Sequence, residues 1–153
     1  MTLKLSTALR NAQAGTTGFA GALNGGCILV YSGPQPVTAD AAPTGTLLGR
    51  ATLNGDPWVA GSPTNGLVLD TPANGGVLKP ASAVWKFTGL AAGTIGWFRF
   101  VGNGADDGSA SVLLPRVDGA AAVGSGEGKF STLTVVVGQP ITIDSFSYMI
   151  PAQ

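Results

Sequence analysis

Hydrophobic and polar positions divide the chain into two textures. Near the start, Leu3, Leu5, Leu9 and Ala12 fall close to one face at helical spacing. The pattern predicts one short helix over residues 5–14, with Ser6 or Thr7 as its cap and Gly15 as its stop. The following TTGFAGALNGG is small and flexible. Three readings stand open for it: a mobile arm, a loop, or a weak continuation of the helix in which Phe19 and Leu23 bury together. From Gly26 onward the texture becomes short β-branched and aromatic runs separated by Gly, Pro, Asn and Asp, the punctuation of an antiparallel β domain.

Strands are predicted over 27–31, 46–53, 67–69, 77–78, 83–88, 95–101, 109–117, 130–137 and 141–149. Within 95–101, Phe98 and Phe100 make a better core face than Trp97, Arg99 and Val101. In the last strand Ile141 and Ile143 share one parity and Phe146 takes the other, which predicts a bulge, or a passage between two buried faces, near Ser145. About eight or nine strands with no long helix between them argue for an all-β fold, an antiparallel β-sandwich or jelly roll with a short N-terminal helix or arm. The expected organisation is a helix and flexible arm over 1–25 and a single sandwich domain over 26–153, a length that suits one ordinary domain.

Composition narrows the partners. Eight Lys/Arg and eight Asp/Glu cancel, and no basic cluster forms locally, so nucleic acid is not an expected partner. Charged residues are 10% of the chain, against a usual value of about 25%. A surface of Thr, Ser, Asn, Gly and Ala suits lasting contact, and the chain is expected to form a homo-oligomer. The first residues lack an apolar run of signal-peptide type, and no apolar run approaches the roughly twenty residues of a membrane helix, so neither export nor a membrane span is expected. The lone Cys27, beside Ile28, Leu29 and Val30, reads as core filler.

Candidate chemistry is sparse. The chain has no histidine, which removes the commonest general base and every Ser-His or Cys-His nucleophile arrangement. With a single cysteine besides, zinc, iron–sulfur and other cofactor sites are not expected. The run Gly124-Ser125-Gly126-Glu127-Gly128-Lys129 has Val123 and Phe130 where a phosphate loop needs Gly and Ser or Thr, and so reads as a loop entering a strand. Asn103, Asp106 and Asp107 concentrate oxygen ligands in a turn, but at a spacing that matches no EF-hand, and these are equally the residues of an ordinary hairpin loop. Glu127 with Asp106, Asp118 or Asp144 could supply the carboxylate pair of a glycosidase, yet nothing singles out a pair, and no catalytic residue is assigned. Trp58, Trp85 and Trp97 raise a carbohydrate-binding platform as an alternative. Trp85 and Trp97, set among Phe87, Phe98 and Phe100, read more readily as core. Phe19, Leu23 and Trp58 are the interface candidates.

Three passages carry a resemblance: LSTALRNAQAG, GGCILVYSGPQPVTADAAPTGTLLGRATL and LTVVVGQPITIDSFSYMIP. With the strand containing Trp97-Phe98-Arg99, they resemble small virion proteins of tailed bacteriophages. The resemblance implies a non-enzymatic particle component located in the virion and bound to the major capsid protein or other virion proteins. A capsid decoration or cement protein is the favoured role, and a neck, tail or baseplate component the alternative. No catalytic residue carries over.

Overall fold

A computed structural model describes residues 3–62 and 64–150. Strand β1 (Lys4–Leu5) leads into helices α1 (Thr7–Ala14) and α2 (Gly18–Leu23). The strands β2 (Cys27–Ser32), β3 (Leu47–Leu53), β4 (Gly76–Leu78), β5 (Trp85–Thr88), β6 (Gly93–Val101), β7 (Arg116–Ala122), β8 (Gly128–Phe130), β9 (Thr134–Val135) and β10 (Pro140–Met149) follow. The all-β class stands. The sandwich or jelly roll does not: seven strands close into a barrel in the order β2-β3-β5-β10-β8-β7-β6, with β6 returning to β2. Strands β1, β4 and β9 pair in addition with β7, β10 and β6.

Closure turns on one parallel seam, where Ala121 pairs with Gly128 and Ala122 with Lys129. Parallel neighbours ordinarily need a crossover of about a dozen residues. Here the connection is Val123–Glu127, and Gly124 and Gly126 take the left-handed backbone that lets so short a segment turn back. The glycine-rich run is therefore the clasp of the barrel. Beside it, a Cβ on Gly119 or Gly128 would collide with the Phe98 ring, so both glycines make room for the aromatic that fills the seam.

Alternation sets the interior. Ile28 and Val30, Trp85 and Phe87, Phe98 and Phe100, and Ile141 and Ile143 all join one buried cluster. The parity change in β10 is a register shift between Ile143 and Ser145 against β8, which carries Phe146 into the same interior. Phe146 packs edge-on against Phe98 and Phe100, and Trp85 edge-on against Phe100. A barrel of this size is filled by its side chains.

Helix α1 begins where the cap was expected. Ser6 Oγ accepts from Leu9 N–H, and the Gly15 N–H closes the other end on Asn11 O. Ser6 Oγ also donates to Leu114 O and accepts from Arg116 N–H, which joins the helix start to β7. Of the readings open for 16–26, the helical continuation is the one formed, as α2, and Leu9, Phe19 and Leu23 enter the barrel's own core cluster. The predicted strand over 109–117 is replaced by a long loop that becomes β7 at Arg116. Its backbone is satisfied locally, by Gly108 N–H on Asp106 Oδ1, Ser109 N–H on Asp107 Oδ1 and Leu113 N–H on Ser111 Oγ.

Candidate functional site

The outward faces of β2, β6 and β7 are covered by loops 33–46 and 102–115, which hold a second core outside the barrel. Cys27, Leu29, Tyr31, Trp97 and Val101 are buried there, with Leu47 and Trp58 packed against them. Tyr31 and Trp97 stack with centroids 4.6 Å apart, and Trp97 Nε1 donates to Thr44 O of the covering loop. Burial pushes the Cys27 thiol up to about 12 and raises the Tyr31 hydroxyl above its ordinary range.

Two buried ion pairs latch the loops to this face. Arg99 and Asp118 stand opposite each other in the β6–β7 register. Arg99 Nε donates to Asp118 Oδ1 at 2.7 Å and Nη2 to Oδ2 at 2.8 Å, while Nη1 reaches Ala41 O of loop 33–46 at 3.0 Å. Arg116 makes the corresponding fork to both oxygens of Asp106 and adds Ser109 O, which holds loop 102–115. Asp40 accepts from Thr7 N–H and Oγ1 at 2.8 Å each, so loop 33–46 is tied to α1 as well. Burial pushes the Asp118 carboxyl above the usual carboxylate range, and the hydrogen bonds and charge of Arg99 pull the other way.

Anchored in this way, the two loops border an open cup formed by Thr38, Asp40, Ala41 and Ala110–Leu113. Around it stand bare apolar side chains: Val37 is 88% exposed, Leu113 82% and Val112 about half. These apolar residues stand at the tips of loops that the two arginine forks fix from below.

No family model matches the chain, and no curated protein or solved structure does either.

The interface candidates scatter. Phe19 (7% exposed) and Leu23 are buried in the barrel core. Phe19 stacks on Tyr148 with centroids 4.0 Å apart, and Gln13 Nε2 donates to the Tyr148 hydroxyl at the rim of a shallow apolar groove. Trp58 is half-buried against the outer core; its Nε1 donates to Gly25 O and Arg50 lies over its ring. That leaves part of one indole as a sugar platform, because Trp85 and Trp97 are fully buried.

The suspected calcium turn spends its oxygens internally: Asp106 on Arg116 and Asp107 on Ser109. Asn103 Nδ2 donates to Gly25 O and Ser62 O. Among the described residues no three His, Cys, Asp or Glu converge as metal ligands. Of the suspected carboxylate pair, Asp106 and Asp118 are engaged by arginines and Asp144 accepts from Thr142 Oγ1. The residues that sequence reasoning missed are Arg99, Arg116 and the loop tips Val37, Val112 and Leu113. The available signal was an arginine at the centre of an apolar strand, in Trp-Phe-Arg-Phe, which needs a buried partner.

Proposed function

We propose that this chain is a structural protein of a tailed bacteriophage particle, working without catalysis as a decoration or cement protein on the assembled head. The observation that carries this reading is the latched loop face: buried arginine–aspartate forks spend their charge on holding two loops that present Val37, Val112 and Leu113 to the outside. A rigid, charge-poor apolar surface suits a protein partner that is itself fixed in a lattice, where many modest contacts add by symmetry. The sequence resemblance supplies the virion as setting, with the major capsid protein as the partner that this surface meets. Neck, tail or baseplate placement would use the same surface against other virion proteins.

The test is a density map of the intact particle together with co-sedimentation of the purified protein with capsids. Copies at regular positions on the shell, with Val112 and Leu113 at the contact, are expected. Val112→Asp with Leu113→Asp should reduce capsid binding at least tenfold. Absence of the protein from purified particles would overturn the reading, and density confined to the portal axis or tail would move it to the alternative.

A further inference from the structure

The chain holds five Asn-Gly pairs, at Asn24, Asn54, Asn65, Asn74 and Asn103. In such a pair the backbone nitrogen after the asparagine can approach the side-chain amide closely, because glycine carries no Cβ. Attack of that nitrogen on the asparagine Cγ closes a five-membered imide. Ring closure eclipses the nitrogen with Cβ, which in an L residue means a ψ of about −120°, the value at the first central position of a type II′ turn.

Four of the pairs are held away from this geometry. Gly25 N–H donates to Leu67 O, and Asn24 Oδ1 accepts from Leu69 N–H. Gly55 N–H donates to Thr52 O. Asn65 O accepts from Leu53 N–H and Asn103 O from Gly61 N–H. The side-chain amides of these two are also engaged, Asn65 Nδ2 on Pro57 O and Asn103 Nδ2 on Gly25 O and Ser62 O. Rotating the peptide that follows any of these four asparagines breaks at least one bond.

Asn74 differs. With Gly75 it forms the centre of a two-residue hairpin turn, across which Ala73 and Gly76 exchange both backbone bonds. Both central residues have positive φ, 52° and 77°, which makes the turn type I′. Flipping the central peptide converts it to type II′ and moves only Asn74 C=O and Gly75 N–H. Neither group has a partner among the described residues. The Ala73–Gly76 bonds and the bond from Ile150 N–H to Gly75 O lie outside the flipped peptide and stay in place. Asn74 is exposed, so hydroxide and water reach it.

We propose that Asn74 is a spontaneous modification site, converting to isoaspartate and aspartate through the flipped turn. Hydroxide removes the Gly75 amide proton, and the nitrogen forms its bond to Asn74 Cγ. Nδ2 takes a proton from water and leaves as ammonia. Water then opens the imide. Breaking the bond from Cγ to nitrogen gives aspartate; breaking the bond from the main-chain carbonyl carbon to nitrogen gives isoaspartate, in which the chain runs through Cβ. The event puts a carboxylate on a chain of zero formal net charge, in a groove that Asn74 shares with the half-exposed Leu78 and Met149. This chemistry does not depend on the virion reading.

Peptide mapping by tandem mass spectrometry, after incubation of the full chain at mildly alkaline pH, tests it. Each competing pair must break a hydrogen bond to react, and one such bond is worth about a decade in rate, so Asn74 should lead the other four by about tenfold in the folded protein. In concentrated urea the five rates should converge. Hydroxylamine, which cleaves imides, should cut the folded chain between residues 74 and 75. Another Asn-Gly pair leading in the folded protein, an Asn74 that stays intact there while reacting in urea, a lead that persists undiminished in urea, or deamidation at 74 without isoaspartate would each overturn the proposal.

Discussion

Asp118 is the residue on which the outer face depends most. Its carboxylate is fully buried and takes both prongs of the Arg99 fork, so removing it leaves a guanidinium in a place without water. Asp118→Ala should cost about 3–5 kcal/mol in urea unfolding, whereas Arg99→Met with Asp118→Leu should recover most of that loss, because the pair is removed together. Cys27 makes a separate prediction. Its folded thiol is pushed up to about 12 from an ordinary 9.0, so the stability it contributes is fully present below 9 and is lost as pH rises towards the folded value. Relative to Cys27→Ala, the wild type should lose about 2 kcal/mol between about pH 8 and about pH 10.5, and the native thiol should resist alkylation. At this level the reading of Cys27 as core filler matches its burial, as does the choice of Phe98 and Phe100 for the interior. The burial of Trp97 agrees with its reading as core, whereas the complete burial of Arg99 was not legible, because the loop that covers it lies more than fifty residues upstream, at Ala41.

Helices α1 and α2 are integral to the barrel's core. Leu9, Phe19 and Leu23 share one cluster with Phe98, Phe100 and Phe146. The segment before Gly26 cannot be removed from this core without exposing it. Phe19→Ala should destabilise the protein by about 3–5 kcal/mol, and deletion of residues 1–25 should abolish cooperative thermal unfolding. The Ser6 cap and the β10 bulge were legible because a cap and a parity change are local facts, written within four or five residues. The helix over Gly18–Leu23 was left among three readings because six residues with two glycines have no intrinsic helical stability, and packing alone settles their state. Residues 109–115 misled in the opposite direction. Ser111–Leu114 carries strand-like residues, but the neighbouring Asp and Ser side chains bind the backbone first, and Ser111 N–H goes to Asp40 O rather than into a ladder.

As a whole, the molecule is a filled barrel wearing a second core on one flank, and the two have different tasks. The interior aromatic cluster supports the fold, while the flank holds loops whose tips project outward. On the proposed role, substitution of Val112 and Leu113 by Asp should reduce capsid binding at least tenfold while changing unfolding free energy by no more than about 0.5 kcal/mol, since exposed positions away from caps and ion pairs contribute little to stability. Alternation, turn residues and the absence of histidine were enough to establish from the sequence alone an all-β chain with an aromatic interior and little candidate chemistry, because each is a property of neighbouring residues or of composition. Closure was a tertiary decision. Sandwich and barrel bury the same alternating faces, and what separates them is whether the last edges meet. Here they meet through Ala121–Gly128 and Ala122–Lys129, across a turn that only its glycines allow. The latched loop face was decided in the same way, since arginine and aspartate distant in sequence become a site only when register and loop path bring them within hydrogen-bonding reach.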